Sequence, residues 1–221
     1  MVYAALPDGD PPSESDQVRP GNAERAVAAR LQIEPQITVA DLAWHDFHGI
    51  ALPSSAADGP RENSGELAAG FSQTPRGALL AAVHITGRAN SVWGPHVFET
   101  TIARQIAGPD AEALTELTRR AHQEETRRRG LRYTQALPAI ATIEGFRWLG
   151  YTPDVAGLDL LSSTPGDSDS KVRASTRIWL RWQATDKGGD WSVIAPPKGD
   201  WSLAAVPVTS SAGYTTFAAN G

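Results

Sequence analysis

The chain has no cysteine in its 221 residues, which excludes disulfides, a thiol nucleophile and thiolate-ligated metal. That absence assigns no compartment, because exported domains can also lack cysteine. No apolar run approaches the roughly 20 residues that cross a bilayer. The opening "MVYAALPDGDPPSESDQ" has neither the basic nor the long apolar region of a secretory signal. Its "VYAAL" reads either as the end of a membrane segment or as an ordinary terminus. Five motifs are also missing: the nucleophile elbow GxSxG, the P-loop, GxGxxG, HExxH and the EF-hand loop. Basic surplus is lacking too. A formal charge of −5 argues against a general nucleic-acid binder but leaves room for a local basic patch.

What is present suffices for one globular domain, with 41% of residues hydrophobic. Residues 7–22, rich in Pro, Gly, Asp and Ser, bury too little to offset their ordering entropy and read as a linker. A short helical turn is expected at 24–31, an extended segment at 37–52 and a polar loop at 53–65. Thr74-Pro75 is an N-cap followed by proline at the first helical position, so a helix is predicted from there to about Gly87. Its alanines allow close approach to a neighbour. A second helix is predicted from Pro95 to Gly108-Pro109. A third is predicted from Asp110, with Leu114, Leu117 and Ala121 as its stripe and Gly130 as C-cap.

Beyond Gly130 the period changes to two. "YTQALPAIATIEGFRWLGYTP", "DVAGLDLLSS", "VRASTRIWLRWQA" and "WSVIAPP" read as extended runs, the last two joined by the turn "TDKGGD". Helices followed by strands predict an α+β fold, with N-terminal helices packed on a curved four-stranded antiparallel sheet. The expected organisation is a flexible linker at 1–36, the cone-shaped domain at 37–197 and a tail at 198–221.

This order resembles the nuclear transport factor 2-like cone, which the VirB-type scaffold of type IV secretion systems also uses. More specifically, "ALPSSAADGP", "GFSQTPRGALLAAV" and "STRIWLRWQATDKGGDWSV" resemble actinobacterial proteins of integrative and conjugative elements. The resemblance covers roughly residues 37–197. It implies a non-enzymatic scaffold of a conjugative DNA-transfer apparatus on the extracytoplasmic side of the plasma membrane. Its partners would be other apparatus proteins, with self-association possible, no cofactor and no direct nucleic-acid contact. Such relatives carry an N-terminal membrane helix, which this sequence lacks.

Several residues carry two readings. His84 is either a packing histidine bonded to backbone or a general base at the cone mouth, with Glu144 or Asp159 as partner acid. The alternative function, a small-molecule binder or an isomerase- or dehydratase-like enzyme, rests on those three. His45 and His48 stand three apart on extended chain, hence on opposite faces, and no metal site is expected. Arg127 and Arg128 end the third helix. They either complement its dipole and pair with Glu124 and Glu125, or form a patch for an acidic partner or lipid headgroups. In the clearest strand, Arg177, Trp179 and Arg181 share one face by period two. Ile178, Leu180 and Trp182 share the other. The first row is expected to face outward as a protein-contact surface with Trp179 stacked between the two arginines. The second row is expected to meet the helices.

Overall fold

In the computed structural model, residues 34–137, 141–166, 170–184 and 188–217 are described. The expected linker at 7–22 and helical turn at 24–31 lie outside them. The first described elements form a hairpin, β1 (Ala43–Phe47) and β2 (Ile50–Ser54). A second small hairpin, β3 (Glu62–Asn63) with β4 (Ala68–Ala69), follows and leads into the first helix.

Helix α1 (Pro75–Arg88) starts where Thr74-Pro75 predicts. The Thr74 hydroxyl accepts from the Gly77 amide at 3.0 Å and donates to Asp58 at 2.6 Å. Asp58 also accepts from Ser72 and from Arg76 Nε, so one carboxylate joins the preceding loop to the first helical turn. Burial raises the Asp58 carboxyl, but the bonds from Thr74, Arg76 and Ser72 outweigh it and hold the group below its ordinary value. Every residue of α1 from Gly77 to Arg88 is buried. The sequence shows a stripe because only its aliphatic residues repeat. Hairpins on one side and the sheet on the other enclose the whole circumference. Helices α2 (Pro95–Gln105) and α3 (Ala111–Arg128) complete the helical layer, and Gly130 ends α3 at φ 65°.

The main sheet has seven strands: β5 (Ile106–Ala107), β6 (Thr142–Thr152), β7 (Val155–Pro165), β8 (Lys171–Gln183), β9 (Asp190–Ile194), β10 (Ala205–Val208) and β11 (Thr215–Thr216). Its order is β11-β6-β7-β8-β9-β5, with β10 also paired to β8. The expectation of a nuclear transport factor 2-like cone on four antiparallel strands is therefore corrected. Strands β6–β9 do form the antiparallel meander, but three further strands extend it and one pair is parallel. The parallel strand β5 comes from the two residues between α2 and α3 and pairs with β9. The segment 198–217, expected as a tail, contributes β10 along the half of β8 that β9 does not reach and β11 along β6. Gly145 permits that last pairing, since a Cβ there would lie 2.5 Å from the Thr215 carbonyl oxygen.

The inner sheet face carries Phe146, Trp148, Leu158, Leu160, Ile178 and Leu180, all in the core with α1. Cross-strand register then fixes the outer face. Asp159 stands opposite Arg177 and Arg147, and Gly157 opposite Trp179. Among the described residues, no helix is long and apolar enough to cross a membrane.

Candidate functional site

The three residues of the pocket reading do not meet. His84 is fully buried on α1, with Nε2 2.7 Å from the Pro53 carbonyl and Nδ1 2.7 Å from an Arg88 guanidinium nitrogen. A guanidinium only donates and a carbonyl only accepts, so Nδ1 accepts from Arg88 and Nε2–H donates to Pro53. Burial, reinforced by the Arg88 charge, pushes the imidazole down to about 3 despite the bond to Pro53. The ring is neutral and both nitrogens are occupied. Arg88 is itself 1% exposed. It donates to Asn63 Oδ1 at 2.7 Å and lies 4.1 Å over the Phe47 ring, and burial pushes it down to about 10. Glu144 and Asp159 belong instead to the outer sheet face, across the sheet from His84.

That outer face has a distinct electrostatic character. Strand β8 presents Lys171, Arg173, Ser175, Arg177, Trp179 and Arg181 along it by period two, and β6 adds Arg147. Asp159, nearly inaccessible, accepts from Arg147 at 2.6 Å and from Arg177 at 3.1 Å, while both arginines stay half exposed. Glu144 accepts from Arg173 at 2.6 Å and from Ser163 at 2.8 Å, with Lys171 at 3.6 Å. A register shift between Ile143 and Gly145 places Glu144 there. Burial raises the Glu144 carboxyl, but the bonds from Arg173 and Ser163 and the neighbouring charges outweigh it and keep it below its ordinary value. Arg181 has no ion-pair partner among the described residues. Tyr214 crosses the face, its hydroxyl 2.6 Å from Ser175 Oγ and its ring 4.8 Å beneath the Arg147 guanidinium.

Five cations on this face thus meet two carboxylates, with Glu34 near Arg147 as a third. The face is positive on a chain whose formal charge is −5.

Trp179 shares the face but is only 6% exposed. Its six-membered ring lies where a Cβ on Gly157 would stand, 2.1 Å from that position. The expected stack of Trp179 between Arg177 and Arg181 is not formed among the described residues, because the indole packs down on the glycine opposite it. Of the other basic candidates, Arg128 pairs with Glu125 at 2.5 Å, and Arg129 pairs with the same carboxylate. These bonds hold Glu125 below its ordinary value. Arg127 is exposed. This cluster lies on α3, apart from the sheet face. His45 bonds Ser54 from β1, while His48 sits in the following turn at φ 52°. Among the described residues no group of three or more side chains is placed to hold a metal ion.

A feature that the sequence did not disclose is a cavity of about 160 Å³ between α3, the inner face of β8 and β10. Its lining is mixed: Asn90, Thr118, Thr176 and Asp200 stand among apolar residues such as Leu114, Ala174 and Trp201. The signal of Thr118 and Asn90 in the sequence is slight: one polar residue in an apolar stripe and one after a helix end.

The model of one protein family, described as "Domain of unknown function (DUF8175)", matches residues 6–216. No curated protein and no solved structure matches the chain.

Proposed function

We propose that the chain, which belongs to this family, works by contact and not by turnover, with the basic outer sheet face receiving an acidic protein segment. One observation carries the reading: four cations on one face of β8, Lys171 and Arg173 about 6.7 Å apart and Arg173, Arg177 and Arg181 at four-residue steps of about 13 Å, on a molecule of opposite net charge. An extended acidic peptide alternates its side chains on the same two-residue repeat and can meet all four in turn. Asp159 and Glu144 hold the inner guanidiniums in place without neutralising the row. The separation of His84 from Glu144 and Asp159 supports contact over an acid–base reaction at those residues.

The proposal extends to context: a non-enzymatic assembly component of a conjugative, type IV secretion-like apparatus at the extracytoplasmic side of the membrane. Apparatus proteins or a second copy would be its partners. The likeness of the three quoted segments supports this context, and the cone no longer does. Deletion within the native genetic element is expected to abolish transfer, and transfer at normal frequency would defeat the context without touching the contact face.

The face itself is tested with poly-L-glutamate. Binding is expected to weaken as salt rises and to fall at least fivefold in the double variant Lys171→Glu/Arg181→Glu. Both side chains are chosen because neither supports the buried Asp159. Equal binding by the variant would end the proposal.

A further inference from the structure

The cavity between α3 and the sheet lies on the other side of the molecule's central layer from the basic face. We propose that it binds a small neutral amphipath, with an apolar body of about six to ten carbon atoms and a single hydroxyl or carbonyl head.

The volume, about 160 Å³, matches that of an engineered apolar cavity of ~150 Å³ that stays dry and takes up benzene. Leu114, Ala174, Trp201 and Pro207 supply apolar walls. At the mouth, Leu117 and Val206 are 40% and 54% exposed, so an entering apolar group meets apolar surface there, beside the exposed Ser202. Three polar side chains in the lining are more than nine-tenths buried: Asn90 is 8% exposed, Thr118 7% and Thr176 1%, and Thr176 has a partner of its own. The Asn90 Oδ1 accepts from the Val92 amide at 3.1 Å, which leaves its NH2 group without a partner among the described residues. The Thr118 hydroxyl likewise makes no hydrogen bond among them, not even to the helix carbonyl one turn back. Neither the Asn90 nitrogen nor the Thr118 oxygen is sealed from the opening, so both donors are available to an acceptor that enters it.

The head chemistry follows from charge. Asp200 also lines the cavity, its Oδ1 accepting from the Ser202 amide at 2.8 Å, and no cation does. An anionic head would be repelled by Asp200. An ammonium offers no acceptor to Asn90. A neutral acceptor satisfies both Asn90 and Thr118.

The probe is hexan-1-ol, followed by ¹H–¹⁵N correlation spectra of the full chain, with hexanoate as the anionic control. Saturable shifts of the Asn90 side-chain NH2 and the Trp201 indole resonances are expected. Hexanoate should bind at least tenfold more weakly. Thr118→Val, which keeps the shape and removes the hydroxyl, should weaken hexan-1-ol binding roughly 3- to 10-fold. Ala121→Phe, at an exposed position of the lining, should close the mouth and abolish binding with an otherwise native spectrum. If that variant does not fold, Ala121→Leu serves in its place. Absence of saturable shifts, equal binding of hexanoate, or indifference to both Thr118→Val and the Ala121 variant would overturn the site. A dimer that Leu117→Glu dissociates, with no hexan-1-ol bound by the monomer, would also overturn it in favour of a second copy as occupant.

Discussion

Acid should destabilise this domain through one buried imidazole well before its carboxylates titrate. His84 lies among α1, the Pro53 backbone and the Phe71 ring. The charged groups that act on it are Arg88 and, to a lesser extent, His45, with no carboxylate to favour the imidazolium. Its folded value is depressed from 6.5 to about 3. Because the unfolded chain takes up the proton first, the associated stability is complete above pH 6.5 and is lost as pH falls towards 3. Each unit corresponds to about 1.4 kcal/mol, so between pH 8 and pH 5 the loss from His84 alone is about 2 kcal/mol. Asp58 and Glu144, with values below 3.8 and 4.5, begin to contribute only at lower pH. The assay is urea unfolding followed by tryptophan fluorescence at both pH values, in wild type and His84→Gln. Glutamine does not titrate but removes the acceptor for Arg88, at an expected cost of about 1–3 kcal/mol at pH 8. The variant's fall in stability from pH 8 to pH 5 should be smaller by about 2 kcal/mol. Equal pH slopes for the two proteins, or an imidazole that titrates near 6.5 in the folded state, would refute the reasoning.

Two other perturbations test the packing and loop contacts. Gly157→Ala places a methyl on the Trp179 ring, 2.1 Å from its nearest carbon. The ring must lift, with a loss of about 1–3 kcal/mol and a red shift in emission, and an unchanged melting temperature would show that the indole does not lie there. Asp190 accepts backbone bonds from Gly70 at 2.7 Å, Phe71 at 3.1 Å and Trp191 at 2.9 Å, and so ties β9 to the segment leading into α1. Burial raises its carboxyl, and those three bonds only partly offset this. Asp190→Asn should cost about 1–2 kcal/mol at neutral pH. Because the raised carboxyl takes up its proton in the folded state before the unfolded one, the wild type gains stability on acidification that the non-titrating asparagine does not, and the cost should grow as pH falls. A cost that shrinks on acidification would contradict the placement.

How much of this could be read beforehand varied with the range of the interactions involved. The start of α1 was legible because Thr74-Pro75 is a local signal that satisfies its own backbone. The alternation of β8 was legible for the same reason, and it correctly separated the arginine row from Ile178 and Leu180. Burial of Trp179 was not, because it depends on Gly157 standing opposite in another strand, and pairing register is not a local property. Strands β5 and β11 have two residues each and β10 four, too few for any period to show, and missing them turned a seven-stranded mixed sheet into an expected four-stranded cone. The engagement of Asp159 and Glu144 by Arg147, Arg177 and Arg173 likewise needed the sheet. So did the cavity, which draws Asn90 from just after α1 and Thr118 from the middle of α3.

The contact claim is tested most directly by locating where an acidic chain binds. Poly-L-glutamate titrated into the ¹⁵N-labelled chain at low salt should perturb the amides of β8 from Lys171 to Arg181 and the guanidinium signals of Arg147, Arg173, Arg177 and Arg181. The amides around Arg127 and Arg128 at the end of α3 should stay in place. Perturbations confined to that helix end, or none at either surface, would contradict the account.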